Sequence, residues 1–166
     1  VMRGVPWIFY PTTLLAQSDS CIGSKSSINS GEVKNILGTF TPPDKVVIDV
    51  DFLQTLEQRE IFSGIGEMLK VHAINSPESF DLISDAYEDV LKNPMIMEEF
   101  IHNSLSMKKK LIEIDEFDQG VRNVMNYGHS FGHAIESATN YGIPHGIAVT
   151  IGMDIANFVS AELGVS

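Results

Sequence analysis

Chemistry is concentrated between Arg122 and Gly146, where Arg122, Asn126, His129 and His133 are followed after a short Gly/Pro loop by His145. Were residues 122–140 one helix, positions 122, 126, 129 and 133 would fall at i, i+4, i+7 and i+11 and form one stripe. A core-facing stripe normally carries Leu and Val, and four aligned polar side chains are costly unless something polar, charged or metallic faces them. Three of the chain's five histidines lie in this stretch, the composition that a zinc site needs. A carboxylate is available at Glu67, on an amphipathic segment 58–71 with Ile61, Phe62, Ile65, Met68 and Leu69 at helical spacing. Lys70 lies one turn from it on the less apolar side. Two histidines and one carboxylate, with a fourth position open, is the donor set of a catalytic rather than a structural zinc. Spacing alone pairs His129 with His133, since i, i+4 imidazoles on a helix can share one ion. A lone histidine more often serves as a hydrogen-bonded core residue, but the clustering outweighs that reading here.

The elements that must position these side chains are mostly helical. Residues 7–10 and 45–50 read as short strands, the second entered from the turn-rich Thr41, Pro42, Pro43 and Asp44. Helices are expected at 12–20, 57–73, 77–91, 94–113, 119–140 and 145–163. Pro77 and Pro94 stand at helix starts and Gly164 at a stop. The fold class is therefore mainly α, a multihelical unit with short N-terminal strands. Seven dispersed methionines read as core filler. There is no Gly-rich dinucleotide fingerprint after a strand, so the main half of any such cofactor site is not expected in these residues.

Composition narrows the classes further. With 43% hydrophobic residues, a chain of 166 can bury one full core. A net charge of −11 argues against nucleic acid or an anionic membrane as partner. An anionic ligand would have to be held by a local cluster of the few basic residues. The run Lys108 to Lys110 taken alone reads as a solvated helix face. The single cysteine, Cys21, allows no internal disulfide and is compatible with a reducing cytoplasm. No apolar run approaches the ~20 residues of a membrane span.

The motifs resemble those of the 3-dehydroquinate synthases and the wider family of sugar phosphate cyclases, from end to end of the chain. Arg3 and Gly4 resemble the pair that closes the family's cofactor domain. Pro11 to Gln17, then Asp19, Gly23 and Lys25, resemble its P-T-T-L-L-A-Q and D-S-x-x-G-G-K block, and Lys34, Asn35, Gly38 and Phe40 the following G-K-N-x-x-G-x-F. Thr55, Leu56, Arg59 and Glu60, then Glu67 and Lys70, resemble T-L-P-x-R-E and A-E-x-x-K. Asn126 to Glu136 resembles N-x-G-H-x-x-G-H-A-x-E.

The resemblance implies roles that spacing leaves open. It makes Glu67, His129 and His145 the ligands of Zn²⁺, with Co²⁺ an alternative ion, and moves His133 into the substrate pocket. Lys25 and Asn35 would hold a substrate phosphate, with Arg3 reaching in from the second subunit of a homodimer. Lys108 and Arg122 would grip a carboxylate, and Asp19, Lys70 and Asn126 would orient ring hydroxyls. Thr12, Thr13, Lys34, Thr55 and Leu56 resemble positions that line NAD. The implied activity is that of a cytoplasmic lyase of the shikimate pathway. It would convert a phosphorylated heptulosonate to 3-dehydroquinate with elimination of phosphate, using transient hydride transfer to NAD and zinc as Lewis acid. On this reading residues 1–50 join an absent cofactor domain to a helical metal- and substrate-binding domain, 51–166, which is itself C-terminally truncated. The piece alone is expected to be inactive.

Departures from the pattern bear on the substrate. Ser24 replaces a glycine before Lys25, Phe117 and Asp118 replace Arg-Glu, Glu57 replaces a proline, and Ile147 stands where a glutamate usually follows the second zinc histidine. Loss of that glutamate removes a carboxylate that could orient His145. Retention of Arg122, Asn126 and His133 favours a carboxylated substrate over those of the inosose- and valiolone-forming relatives. The alternatives are another sugar phosphate cyclase of secondary metabolism, a metal-dependent polyol dehydrogenase of the same fold, or a non-catalytic homologue. The phosphate-binding block counts against the dehydrogenase, and the intact ligand set against the non-catalytic homologue.

Overall fold

Proline and short polar side chains set the helix boundaries. In the computed structural model, which describes residues 5–31 and 33–165 (the side chains of 29 and 33–35 excepted), Ser76 Oγ accepts the Ser79 N–H at 3.1 Å. Pro77 then opens helix α2 (Pro77–Asp85). Asn93 Oδ1 accepts the Met95 N–H at 3.0 Å, and Pro94 opens α4 (Pro94–Ile114). Each proline occupies a first-turn position whose N–H has no intrahelical partner. Before them lies α1 (Gln58–Asn75), and α3 (Tyr87–Lys92) stands between. The chain ends in α5 (His129–Ala138) and α6 (His145–Glu162).

Among the described residues four strands precede α1, all between residues 8 and 46, as expected for a mainly α unit with N-terminal strands. β1 (Ile8–Phe9) pairs in parallel with β4 (Lys45–Val46), Ile8 opposite Lys45 and Phe9 opposite Val46. Both are shorter than the strands expected at 7–10 and 45–50. Asp49 ends the second one by accepting the Asp51 N–H at 3.0 Å and starting a 3₁₀ turn, Val50–Thr55. Strands β2 (Lys25–Ser30) and β3 (Val33–Phe40) form an antiparallel hairpin with an irregularity between Ile28 and Ser30. Sequence periodicity did not reveal this hairpin, because its apolar residues are not buried: Ile28, Leu37 and Phe40 are all more than half exposed.

Two expected helices are interrupted. The segment 77–91 divides at Ala86 into α2 and α3, a break that no residue type marks. The segment 119–140 divides into a 3₁₀ turn, Val121–Asn126, and α5. Gly128, at φ +77°, turns the chain between them through the left-handed region. This backbone also lies directly against α6, where a Cβ at Gly128 would stand 2.9 Å from the Met153 amide nitrogen. Arg122 and Asn126 therefore do not share a helical stripe with His129 and His133.

The core joins the first helices. Leu14, Ile65, Met68, Ile83, Val90, Met97, Phe100 and Ile101 form one buried cluster spanning α1 to α4 and the helical turn before Cys21. Helix α6 attaches differently, through glycine. A Cβ on Gly66 would lie 2.7 Å from both the Gly146 carbonyl carbon and Thr150 Oγ1, and one on Gly146 would collide with the Ser63 carbonyl. The Gly146 N–H is held by Ser63 Oγ at 2.9 Å. Backbones of α1 and α6 are thus in contact at the level of Ser63, Gly66 and Gly146. No described helix is long and apolar enough to cross a membrane.

This crossing gives a test in which two effects oppose each other. Alanine is favoured over glycine inside a helix by about 1 kcal/mol, so Gly66→Ala would stabilise an isolated α1. The clash with α6 costs typically about 1–3 kcal/mol and has backbone on its far side, which cannot yield. Gly66→Ala should lower the midpoint of thermal unfolding, whereas an unchanged or raised midpoint would mean that the helices are not in backbone contact.

Candidate metal centre

The α1–α6 crossing places Glu67 opposite His145. Glu67 is 2% exposed, and its Oε2 accepts from Lys70 Nζ at 2.5 Å, on a lysine equally buried. The other oxygen, Oε1, is buried with no hydrogen-bond partner among the described residues. It faces His145 Nε2 at 3.6 Å and His129 Nε2 at 3.9 Å. Both rings are turned by a second contact at Nδ1, that of His129 with the Tyr127 carbonyl at 3.2 Å and that of His145 with Glu136 Oε2 at 3.2 Å. Their Nε2 atoms converge on the orphaned oxygen.

A tetrahedral ion with bonds of ~2.0–2.2 Å would separate its donors by about 3.3–3.6 Å. The 3.6 and 3.9 Å from the Glu67 oxygen to the two nitrogens would therefore close by up to a few tenths of an ångström around an ion. A buried carboxylate oxygen without a partner calls for a cation. On both counts the residues present fit a divalent ion of zinc type. A second grouping overlaps the first: His129, His133 and His145 each offer a nitrogen within 4.8 Å of the other two. His133 is the outlying member, with a side chain 54% exposed and Nε2 3.9 Å from Glu136 Oε2. The orphaned Glu67 oxygen favours the set of Glu67, His129 and His145.

Local charges prepare this arrangement. Burial, and next the Lys70 ammonium, hold the His129 pKa below its ordinary 6.5, with Glu67 acting in the opposite sense. Burial and Lys70 both favour the neutral ring, the form that can ligate. Burial alone would raise the Asp19 pKa, but Lys108 and Lys70 outweigh it and hold the carboxyl below its ordinary 3.8. Burial pushes the Cys21 thiol up to about 11, so it is a packed, unreactive group.

The remaining expected site residues divide by location. Lys108, on α4, donates to the Asp19 carbonyl at 2.6 Å and to Asp19 Oδ1 at 2.8 Å. Arg122 is 7% exposed and donates from Nη1 to the Glu116 carbonyl at 2.8 Å. Its backbone is fixed by Asp115, whose carboxylate accepts the N–H groups of Gln119, Gly120 and Arg122. Lys25 pairs with Asp118 Oδ2 at 2.7 Å. Asn126 is exposed and borders a shallow groove with Ile74, Asn123 and Tyr127. Thr12 and Thr55 are exposed, Thr13 Oγ1 accepts the Ala16 N–H at 3.2 Å, and Leu56 packs against the core. Arg3 and the side chains of Lys34 and Asn35 lie outside the described residues. Two acids without an assigned role in the sequence reading emerge as contacts of site residues: Asp118 on Lys25 and Glu136 on His145. A buried glutamate three residues after His133 was the available signal for the second.

Comparison with known proteins places the chain in one family. The model described as "3-dehydroquinate synthase C-terminal" matches residues 64–166, and "3-dehydroquinate synthase N-terminal" matches residues 1–63. The 3-dehydroquinate synthase of Lactococcus lactis subsp. cremoris (strain MG1363) is 46% identical over 166 residues, covering 99% of this chain and 47% of that protein. That of Dehalococcoides mccartyi (strain CBDB1) is 42% identical, covering 98% and 46%. The chain thus spans about half the length of the curated relatives it matches. Among solved structures, 2-epi-5-epi-valiolone synthase from Streptomyces hygroscopicus subsp. jinggangensis 5008, with NAD⁺ and Zn²⁺ bound, superposes with a TM-score of 0.87 at 30% identity. It is matched over 98% of this chain and 46% of that one. A 2-deoxy-scyllo-inosose synthase complexed with carbaglucose-6-phosphate, NAD⁺ and Co²⁺ gives 0.85 at 29%, over 99% and 45%.

The two overlapping donor sets make different predictions for substitution. With Glu67, His129 and His145 as ligands, His145→Ala should abolish uptake of one Zn²⁺ or Co²⁺ per chain, and His133→Ala should leave it intact. Metal content after dialysis against the free ion reads both. Loss of the ion from His133→Ala with retention in His145→Ala would establish the other set.

Proposed function

Because the chain belongs to the 3-dehydroquinate synthase family, we propose that it forms the metal- and substrate-binding part of an NAD- and zinc-dependent lyase. The enzyme would convert a phosphorylated heptulosonate to 3-dehydroquinate with elimination of phosphate. The observation that carries this reading is the convergence of two histidine Nε2 atoms on the orphaned, buried Glu67 oxygen. An ion held there would supply Lewis acidity, and a bound dinucleotide would supply reversible redox chemistry. Residues 51–166 would carry this site, and residues 1–50 would connect it to a cofactor-binding part.

The chain's own residues bind and orient the substrate. Lys70 neutralises one oxygen of Glu67 and fixes the direction of the other. Asp19 and Lys108 hold one another through two bonds, a pair that presents both an acceptor and a donor to a polyhydroxylated ring. Arg122, with its guanidinium held in place at the Glu116 carbonyl, is suited to a carboxylate. Lys25 would exchange Asp118 for the substrate phosphate, and Asn35, with Arg3 from a second copy of the chain, would complete that subsite. His133, exposed beside the rings of His129 and His145, would move a proton at the substrate. Thr12, Thr13, Lys34, Thr55 and Leu56 are the positions proposed to meet the dinucleotide.

A second reading, another sugar phosphate cyclase, draws on the close superposition with the valiolone and inosose synthases. The 42–46% identity to 3-dehydroquinate synthases, against 29–30% to those two, favours the first.

Substrate charge separates the two. In the intact enzyme, Arg122→Leu should weaken turnover of a carboxylated sugar phosphate by about 2 kcal/mol or more, the scale of a lost charge-assisted contact. Zinc content should not change, because Arg122 is not among the proposed ligands. Full activity in the variant, or a wild type that prefers a hexose phosphate without a carboxylate, would exclude 3-dehydroquinate formation and favour the second reading.

A further inference from the structure

Glu136 is buried at 4% exposure on the face of α5 that meets α6, a position where an apolar side chain would ordinarily pack. A carboxylate there is costly unless it has a specific partner. Its Oε2 lies 3.2 Å from His145 Nδ1, while Nε2 of the same ring faces Glu67 Oε1 at 3.6 Å. The imidazole of His145 is thus held between two buried carboxylates, one at each nitrogen. The neighbouring position 147 is Ile and offers no acceptor.

We propose that Glu136 is the positioning residue of the metal centre: its carboxylate accepts a hydrogen bond from His145 Nδ1–H, which keeps the ring's one proton at Nδ1 and leaves the Nε2 lone pair for the ion. This rests on the assignment of His145 as a ligand. A neutral imidazole has one proton to place, and an acceptor at one nitrogen fixes it there and leaves the other free to ligate. The carboxylate also raises the ligating power of Nε2, which a neutral acceptor does to a smaller degree. The same Glu136 oxygen lies 3.9 Å from His133 Nε2, so the tip of that ring is directed toward a carboxylate as well. One acid on α5 thereby hydrogen-bonds His145 and lies near the tip of the His133 ring.

The test uses the intact protein, stripped of metal and titrated with Co²⁺, with visible absorption and competition against a chelator as readouts. Proton position on His145 is read separately by ¹⁵N NMR of the metal-free protein. Glu136→Gln should retain the Nδ1-protonated form and bind Co²⁺ several-fold more weakly. Glu136→Ala should lose the preference for that form and bind about 10–100-fold more weakly, the usual effect of removing an outer carboxylate. Wild-type affinity in both variants, or in Glu136→Gln if the alanine variant does not fold, overturns the proposal. A wild type that takes up no Co²⁺ instead overturns the metal centre on which it rests, so the two failures are told apart.

Discussion

Backbone-to-backbone contact at helix α6 is the constraint on which the rest depends. Gly66 and Gly146 bring α1 against α6, and Gly128, Gly132 and Gly152 bring α5 against the other side. Each helical glycine costs roughly 1 kcal/mol of helix propensity relative to alanine. The return is position. With no Cβ between the axes, Glu67 and His145 stand next to the contact on their own helices, and His129 begins the helix that follows Gly128. Larger residues would still allow α1, α5 and α6 to form but would move them apart. Ligand geometry tolerates only a few tenths of an ångström.

A second pattern follows from burying charge in an acidic chain. Lys70, Lys108 and Arg122 are each less than a tenth exposed, and each is held by an oxygen: Glu67, Asp19 and the Glu116 carbonyl. Net charge of −11 therefore says little about the interior, where cations are placed one by one against specific acceptors. Surface charges are screened by solvent and salt, whereas the buried cations act at short range with little screening.

The sequence made the helical elements legible because their boundaries are written in local chemistry. Pro77 and Pro94 follow capping side chains, and α1 and α4 start and stop within a few residues of expectation. The hairpin β2–β3 was not legible, since its apolar residues face outward and give no burial alternation. The break at Gly128 was not legible either. Glycine inside a periodic segment reads as a tolerated cost, and neither its positive φ nor its contact with α6 shows in the local pattern. For the site, residue types located the histidines and Glu67, but spacing alone put His129 with His133. Two elements distant in sequence bring His145 and Glu67 together, which no local pattern encodes. Glu136 was visible only as a motif residue until α6 supplied its partner.

The same long separation has a kinetic consequence. The buried cluster of α1 to α4 is built from neighbouring helices joined by short connections, so it can form while the rest of the chain is still open. The carboxylate of α1 meets the first imidazole of α6 only after the intervening elements have closed a long loop. Undocking of α6 alone would disperse the donor atoms and leave the α1–α4 core standing. Proteolytic cleavage in the exposed 139–142 turn would loosen that docking and part the three donor side chains while sparing the contacts of the α1–α4 core.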